Sequence, residues 1–136
     1  MSIYAVIDTN VLLSALLSKK SDTATIKIAK ALMGGKFVPI WHEIIIEEYD
    51  EVFHRPKFHL QEASIQKVLT AVKFYGKYTL PINTVEQPSD ADDTIFWQIT
   101  MAERGNNAFL VTGNIKHFPQ YEFVVTPATM VELNRW

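Results

Sequence analysis

The chain has 136 residues, 48% of them hydrophobic, enough for one well-buried core and too few for two domains of ordinary size. A formal net charge of −2 excludes an overall basic field able to hold a polyanion, so any nucleic-acid binding must come from a local site. There are no cysteines, which removes disulfides, zinc-thiolate sites and thiol nucleophiles and leaves catalysis to Asp, Glu, His, Ser or Thr.

Ile3 to Ile7 is a continuous, largely β-branched run that stops at Asp8-Thr9-Asn10, the pattern of a strand buried on both faces. It is far too short to span a bilayer, no basic flank precedes it and no later segment is longer, so the expectation is a soluble, cytoplasmic protein without membrane partners. Val11, Leu12, Leu13, Leu16 and Leu17 recur at helical spacing, and Ile26 to Met33 continue after a polar break until Gly34-Gly35. Phe37, Val38 and Ile40 read as a second strand. A helix follows from about His42 to His54, closed by Pro56. An amphipathic helix is expected over Ser64 to Tyr75, and a third strand over Tyr78 to Ile82.

The polar stretch Glu86 to Asp93 reads as a loop leading into a helix from Asp92 to Arg104. Ala108 to Thr112 and Phe123 to Val125 are further strands, and Thr126-Pro127 opens a terminal helix to about Asn134. Short apolar strands alternating with helices predict an α/β fold, a parallel sheet covered by helices on both faces. In such sheets ligands gather beyond the carboxyl ends of the strands.

Two polar clusters directly follow buried strands: Asp8-Thr9-Asn10 and Thr112-Gly113-Asn114. Both should emerge at one edge of the sheet, whereas connectivity alone does not place Asp90, Asp92 and Asp93. On the helix after the second strand, Ile44, Ile45, Tyr49 and Val52 fall on one side, with Glu48 between Ile44 and Val52. Glu47 falls on the charged side with Glu43, Asp50, Glu51 and His54. An inward carboxylate needs a partner, and no Lys or Arg shares that face within one turn. Several carboxylates meeting without cations would raise one another's pKa, a conflict that a divalent ion such as Mg²⁺ relieves through hard oxygen ligands.

Each residue also has a plainer reading. Asp8 could cap the next helix, Glu48 could extend its carboxylate to the surface, and Asp90 or Ser89 could cap the helix that Asp92 and Asp93 begin. His117 reads as a surface histidine bonded to its loop. His42, His54 and His59 lack paired metal spacing. Arg55, Lys57, Arg104 and Lys116 could grip phosphates, although scattered basic residues usually form a solvated surface. Trp41, Trp97 and Trp136 fit a core or an interface better than base-stacking platforms.

Four segments taken in order carry a family resemblance: Asp8-Thr9-Asn10; Glu47-Glu48-Tyr49-Asp50-Glu51-Val52 followed by Arg55-Pro56-Lys57-Phe58; Asp90-Ala91-Asp92-Asp93; and Val111-Thr112-Gly113-Asn114 with Lys116-His117-Phe118-Pro119. Over nearly its whole length the chain resembles the PIN-domain family, the nuclease fold of many bacterial toxin-antitoxin toxins. The resemblance implies a single PIN-like domain, a three-layer sandwich with a short parallel central sheet. It implies Asp8, Glu48 and Asp93 as ligands of Mg²⁺ or Mn²⁺, with Asn114 where many members carry a fourth acid, and Asp90 as a possible compensating group. Thr9 and Thr112 would orient ligands or bind phosphate oxygens. The implied activity is metal-assisted hydrolysis of RNA by a toxin that an antitoxin protein blocks and that can form a homodimer. Competing expectations are a DNA nuclease or phosphatase using the same acids, and a catalytically silent RNA- or protein-binding module.

Overall fold

The apolar runs become short parallel strands, as their burial on both faces requires. The computed structural model describes residues 2–136. In chain order the elements are β1 (Tyr4–Ile7), α1 (Thr9–Leu17), α2 (Ala24–Met33), β2 (Val38–Trp41), α3 (Glu43–Phe53), α4 (Glu62–Tyr75), β3 (Lys77–Tyr78), α5 (Thr94–Ala102), β4 (Phe109–Val111), β5 (Val124–Val125) and α6 (Pro127–Asn134). The five-stranded sheet has the order β3-β2-β1-β4-β5 with every pairing parallel. Helices cover both of its faces, α4 packing on β2 and α5 across β1, β2 and β4. This is the α/β architecture that the alternation of elements predicts.

Strand order decides where a site can form. From β1 the chain builds outward through β2 to β3, then returns across the sheet to add β4 and β5 on the other side. The direction reverses between β1 and β4, and the connections there diverge to leave a crevice at the strand ends. Ala5, Val6, Leu110 and Val111 are wholly buried, so the register Ile7↔Val111 is held by packing on both faces as well as by the ladder.

Local chemistry explains the helix ends. His42 Nδ1 accepts from the Ile44 amide at 3.2 Å to cap α3, and the Thr126 hydroxyl accepts from the Thr129 amide at 3.2 Å to cap α6, with Pro127 in its first turn. Gly35, at φ 66°, lets the chain leave α2 through the left-handed region. Trp97 is fully buried, Trp41 is partly buried, and Trp136 stacks on Phe37 with ring centroids 5.3 Å apart.

Three expectations need correction. The third strand covers only Lys77–Tyr78, not Tyr78 to Ile82, and Leu80 and Ile82 are exposed. The Thr79 amide bonds Trp41 O at 2.9 Å, but the next donor in the ladder would be residue 81, a proline without an N–H. The helix expected over Asp92 to Arg104 is divided: tight turns at Ala91–Asp93 and Arg104–Asn106 flank α5. Ile44 is exposed rather than inward, and Phe53 takes an inward place on α3.

Gly76 joins α4 to β3 where backbone segments nearly touch. A Cβ there would lie 2.1 Å from Val72 O and 2.4 Å from Pro39 O, whereas one at Gly105 would meet nothing within 4 Å. Gly76→Ala should therefore destabilise the protein by about 2 kcal/mol or more in urea unfolding, and Gly105→Ala should stay within about 0.5 kcal/mol of the parent.

Candidate active site

Asp8 follows β1 at the crevice. Its amide bonds Val111 O at 2.9 Å, and its carbonyl accepts from the Val11 amide at 3.0 Å to start α1. Although it stands at the cap position, its side chain makes no capping hydrogen bond of full geometry; the Thr9 and Asn10 amides lie near enough only to favour its charged form. The carboxylate turns to β4 instead, accepting from the Thr112 hydroxyl at 2.7 Å. Thr112 is wholly buried, and its oxygen also accepts from the Asn114 amide at 3.0 Å. One hydroxyl thus ties the end of β1 to the turn after β4.

From α3, the half-buried Glu48 reaches the same place and accepts a hydrogen bond from the buried Thr9 hydroxyl, while Glu47 stays exposed. The inward direction of Glu48 comes from its neighbours Ile45, Tyr49 and Val52, all buried. Tyr49 fixes the helix in place, its hydroxyl donating to Ile7 O at 2.5 Å.

Asp93 arrives on the turn before α5. That turn is closed by Asp90, whose Oδ1 accepts from the Asp92 amide at 3.0 Å. Asp90 itself is exposed and acts as the cap of the turn while adding negative charge near Asp93. Asn114 is exposed at the rim, with its backbone held by Thr112.

The electrostatics show which acids share one field. Burial is the main cause lifting Asp8, partly offset by the Thr112 hydrogen bond. Glu48 is raised first by burial, against the Thr9 hydrogen bond, and then by Asp8, Asp93 and Asp92. Asp93 is pushed up to about 6, by burial first and then by Asp8 and Asp90. Opposing this is the His117 side chain, whose Nδ1 lies 3.8 Å from Asp93 Oδ2. The turn carrying His117 is clipped to the loop before Asp90 by the Ser89 amide, which donates to His117 O at 2.9 Å. His117 therefore does bond its loop, through its backbone, but its ring reaches an acid that the sequence does not connect to it.

Asp8, Glu48 and Asp93, distant in the chain, repel one another across one crevice. Among the described residues, no three His, Asp or Glu side chains stand as a ready-made metal cluster. Two of the acids are drawn to the Thr9 and Thr112 hydroxyls. The donor set is nevertheless that of a hard cation, carboxylate oxygens whose pKa values are raised first by burial and, at Glu48 and Asp93, further by neighbouring acids.

A sequence model of a protein family described as the PIN domain matches residues 4–116. The chain belongs to the PIN-domain family. No curated protein matches it closely enough to serve as a relative. The matched span of this PIN domain runs from β1 through the turn that carries Asn114, so it contains every acid described above.

One buried acid lay outside the sequence reading. Glu103 is held by Lys77 Nζ at 2.9 Å, the Thr79 hydroxyl at 2.7 Å and Asn106 Nδ2 at 2.9 Å. Burial alone would raise its pKa, but these partners outweigh it and leave it lowered. It is a brace between β3 and the end of α5, and its partners fall at no recognisable spacing.

The raised Asp93 sets a pH dependence. A carboxyl whose folded value lies near 6, above its ordinary 3.8, binds its proton more tightly in the folded state. Its contribution is full below the lower value and is lost as pH rises through the upper one. Metal-free protein should therefore gain stability from pH 7 to pH 5 relative to Asp93→Asn, by on the order of 1 kcal/mol after solvent screening, in paired urea titrations.

Proposed function

We propose that this PIN-domain protein is a Mg²⁺- or Mn²⁺-dependent ribonuclease of the cytoplasm, acting as the toxin of a toxin-antitoxin pair. The observation that carries the proposal is the repulsion that Asp8 and Asp93 exert on Glu48 and Asp8 on Asp93 at the topological switch of a parallel sheet, with hydroxyls rather than Lys or Arg bonded to Asp8 and Glu48. Asp8, Glu48 and Asp93 would hold the ion, and Asn114 could add a neutral oxygen. A bound divalent ion supplies phosphate polarisation and a lowered pKa for attacking water.

The protein's own contribution is placement. Thr112 aims Asp8, Thr9 aims Glu48, and Tyr49 fixes α3 against β1, an arrangement that Asp93 would complete from the turn before α5. His117, beside Asp93 and at the edge nearest Lys116, stands where a phosphodiester oxygen would pass. An antitoxin would block this acidic mouth with a basic segment, and exposed apolar residues such as Phe74 and Leu80 offer surface to a second copy.

The neutral Asn114, where many family members carry a fourth acid, favours a second reading, a silent binding module. The two differ in their response to metal. Under the enzyme reading, Mn²⁺ should raise the melting temperature, by about 2.7 kcal/mol in stability at a hundredfold excess over Kd, and Glu48→Gln should erase most of the rise. RNA cleavage should fall by roughly 100-fold or more in Asp8→Ala. Parent protein indifferent to Mn²⁺ in both assays would sink the enzyme reading. Assays on single-stranded DNA and on a phosphomonoester separate RNA from the other substrates open to the same acids.

A further inference from the structure

Two clefts flank the acidic centre, and their linings differ in charge. One, of about 380 Å³, has a mixed-charge lining that includes Lys116, His117 and the Glu86 carboxylate together with Ser89 and Gln87. The other, of about 330 Å³, is lined by Asn10, Ser14, Thr25 and Asn114, with Val11 and Pro127 as apolar wall. Its lining adjoins the Asp8 region in sequence: Asn10 lies two residues after Asp8, and Asn114 two residues after the Thr112 that bonds the Asp8 carboxylate.

Among the described residues no charged side chain lines this second cleft, so it lacks the cation that Lys116 could give a phosphate in the first. It offers two amides and two hydroxyls. Amides carry a donor and an acceptor side by side, the pattern that matches the hydrogen-bonding edge of a nucleobase. Single-stranded RNA is read in this way, by splayed bases held against apolar surface and bonded along their edges. The volume falls at the low end of small-ligand pockets, roughly 300–1,000 Å³, and suits one ring system better than a peptide segment.

Gly113, like Gly105, is a glycine the fold does not call for, but unlike Gly105 it lies in the lining of this cleft. Its backbone is outside the left-handed region, since Gly35 alone among the described glycines has positive φ, and a Cβ on it would meet nothing within 4 Å. Neither conformation nor packing calls for glycine there. Gly113 lines the neutral cleft, and a side chain on it would take up the cleft's open space.

We infer that this cleft is a base pocket, receiving the nucleobase next to the scissile phosphate of RNA, and that the bare backbone at Gly113 leaves the base its room. Asn10 and Asn114 are the residues that would read it. The inference rests on the ribonuclease reading and deepens it.

A size series at one position tests it. Parent, Gly113→Ala and Gly113→Leu proteins are compared in Mn²⁺ for cleavage of RNA homopolymers and of methyl p-nitrophenyl phosphate, a diester with no base. Melting temperature and its Mn²⁺ response are followed alongside. The three proteins should melt within about 2 °C of one another, because the added atoms meet no protein. RNA cleavage should fall by about tenfold or more in Gly113→Leu, with Gly113→Ala between, while the base-free diester stays within about twofold of the parent. Undiminished RNA cleavage by Gly113→Leu would overturn the base pocket and leave the ribonuclease standing. Equal loss on both substrates in a folded, Mn²⁺-responsive variant would overturn it too, because the position would then act on the chemistry. Failure of the parent to cleave RNA or to respond to Mn²⁺ would remove the ribonuclease reading itself.

Discussion

The pairing of β1 with β4 is the constraint on which the site depends. These strands are adjacent in space and far apart in the chain, and both are wholly buried at the register that sets Ile7 against Val111. A slip of one residue would turn Val6 and Leu110 through the sheet and expose neither strand's polar end at the crevice. With the register held, the residues just past each strand end must be neighbours. That is why Asp8 and Thr112 bond across 104 positions of sequence. Glu48 then needs only a helix packed on the end of β1, which the Tyr49 hydroxyl supplies through Ile7 O.

The choice of partners for the acids matters as much as their position. A lysine or arginine beside Asp8 or Glu48 would have formed a closed ion pair and cancelled the local charge. Threonine hydroxyls do something else: each orients a carboxylate and stabilises its charged form without neutralising it. The nearest strong cation to Glu48, Arg55, is engaged elsewhere, with two bonds to Glu51 at 2.9 and 3.2 Å. The result is a half-buried anionic centre under self-repulsion, relieved by protonation, as at Asp93, or by a cation from solution.

How much of this was legible depended on whether the relevant signal was local. Asp8 and Thr112 could be placed together because each ends an apolar run, and strand ends in a parallel sheet share an edge. The inward side of Glu48 followed from helical phase even though Ile44, one of the residues used to set that phase, is exposed; Ile45, Tyr49 and Val52 were enough. Asp93 was named from the family pattern, and its place beside Asp8 and His117 comes from the turn that Asp90 caps, a geometry no periodicity reports. The third strand was overextended because Tyr78 to Ile82 is apolar enough to pass for one, yet Pro81 cannot donate to the ladder. Glu103 was invisible for a further reason: its partners Lys77 and Thr79 lie more than twenty positions away, on a strand only two residues long.

Under the proposed ribonuclease reading, the two flanks of the centre would have separate roles. A strand of RNA crossing it would meet Lys116, with the Glu86 carboxylate, on one side of the acids and neutral amides on the other. On the base-pocket proposal a backbone phosphate would gain from Lys116 on the first side and a base from the amides of the second. The asparagine at position 114 is consistent with that division. A fourth carboxylate there would add repulsion at Asp93, already pushed up to about 6 by burial and neighbouring acids, and would set a charge in a cleft whose described lining is neutral. Asparagine keeps an oxygen available to the centre and an N–H₂ available to the cleft. Some negative charge for holding a cation is thereby exchanged for a group that can recognise what lies next to it.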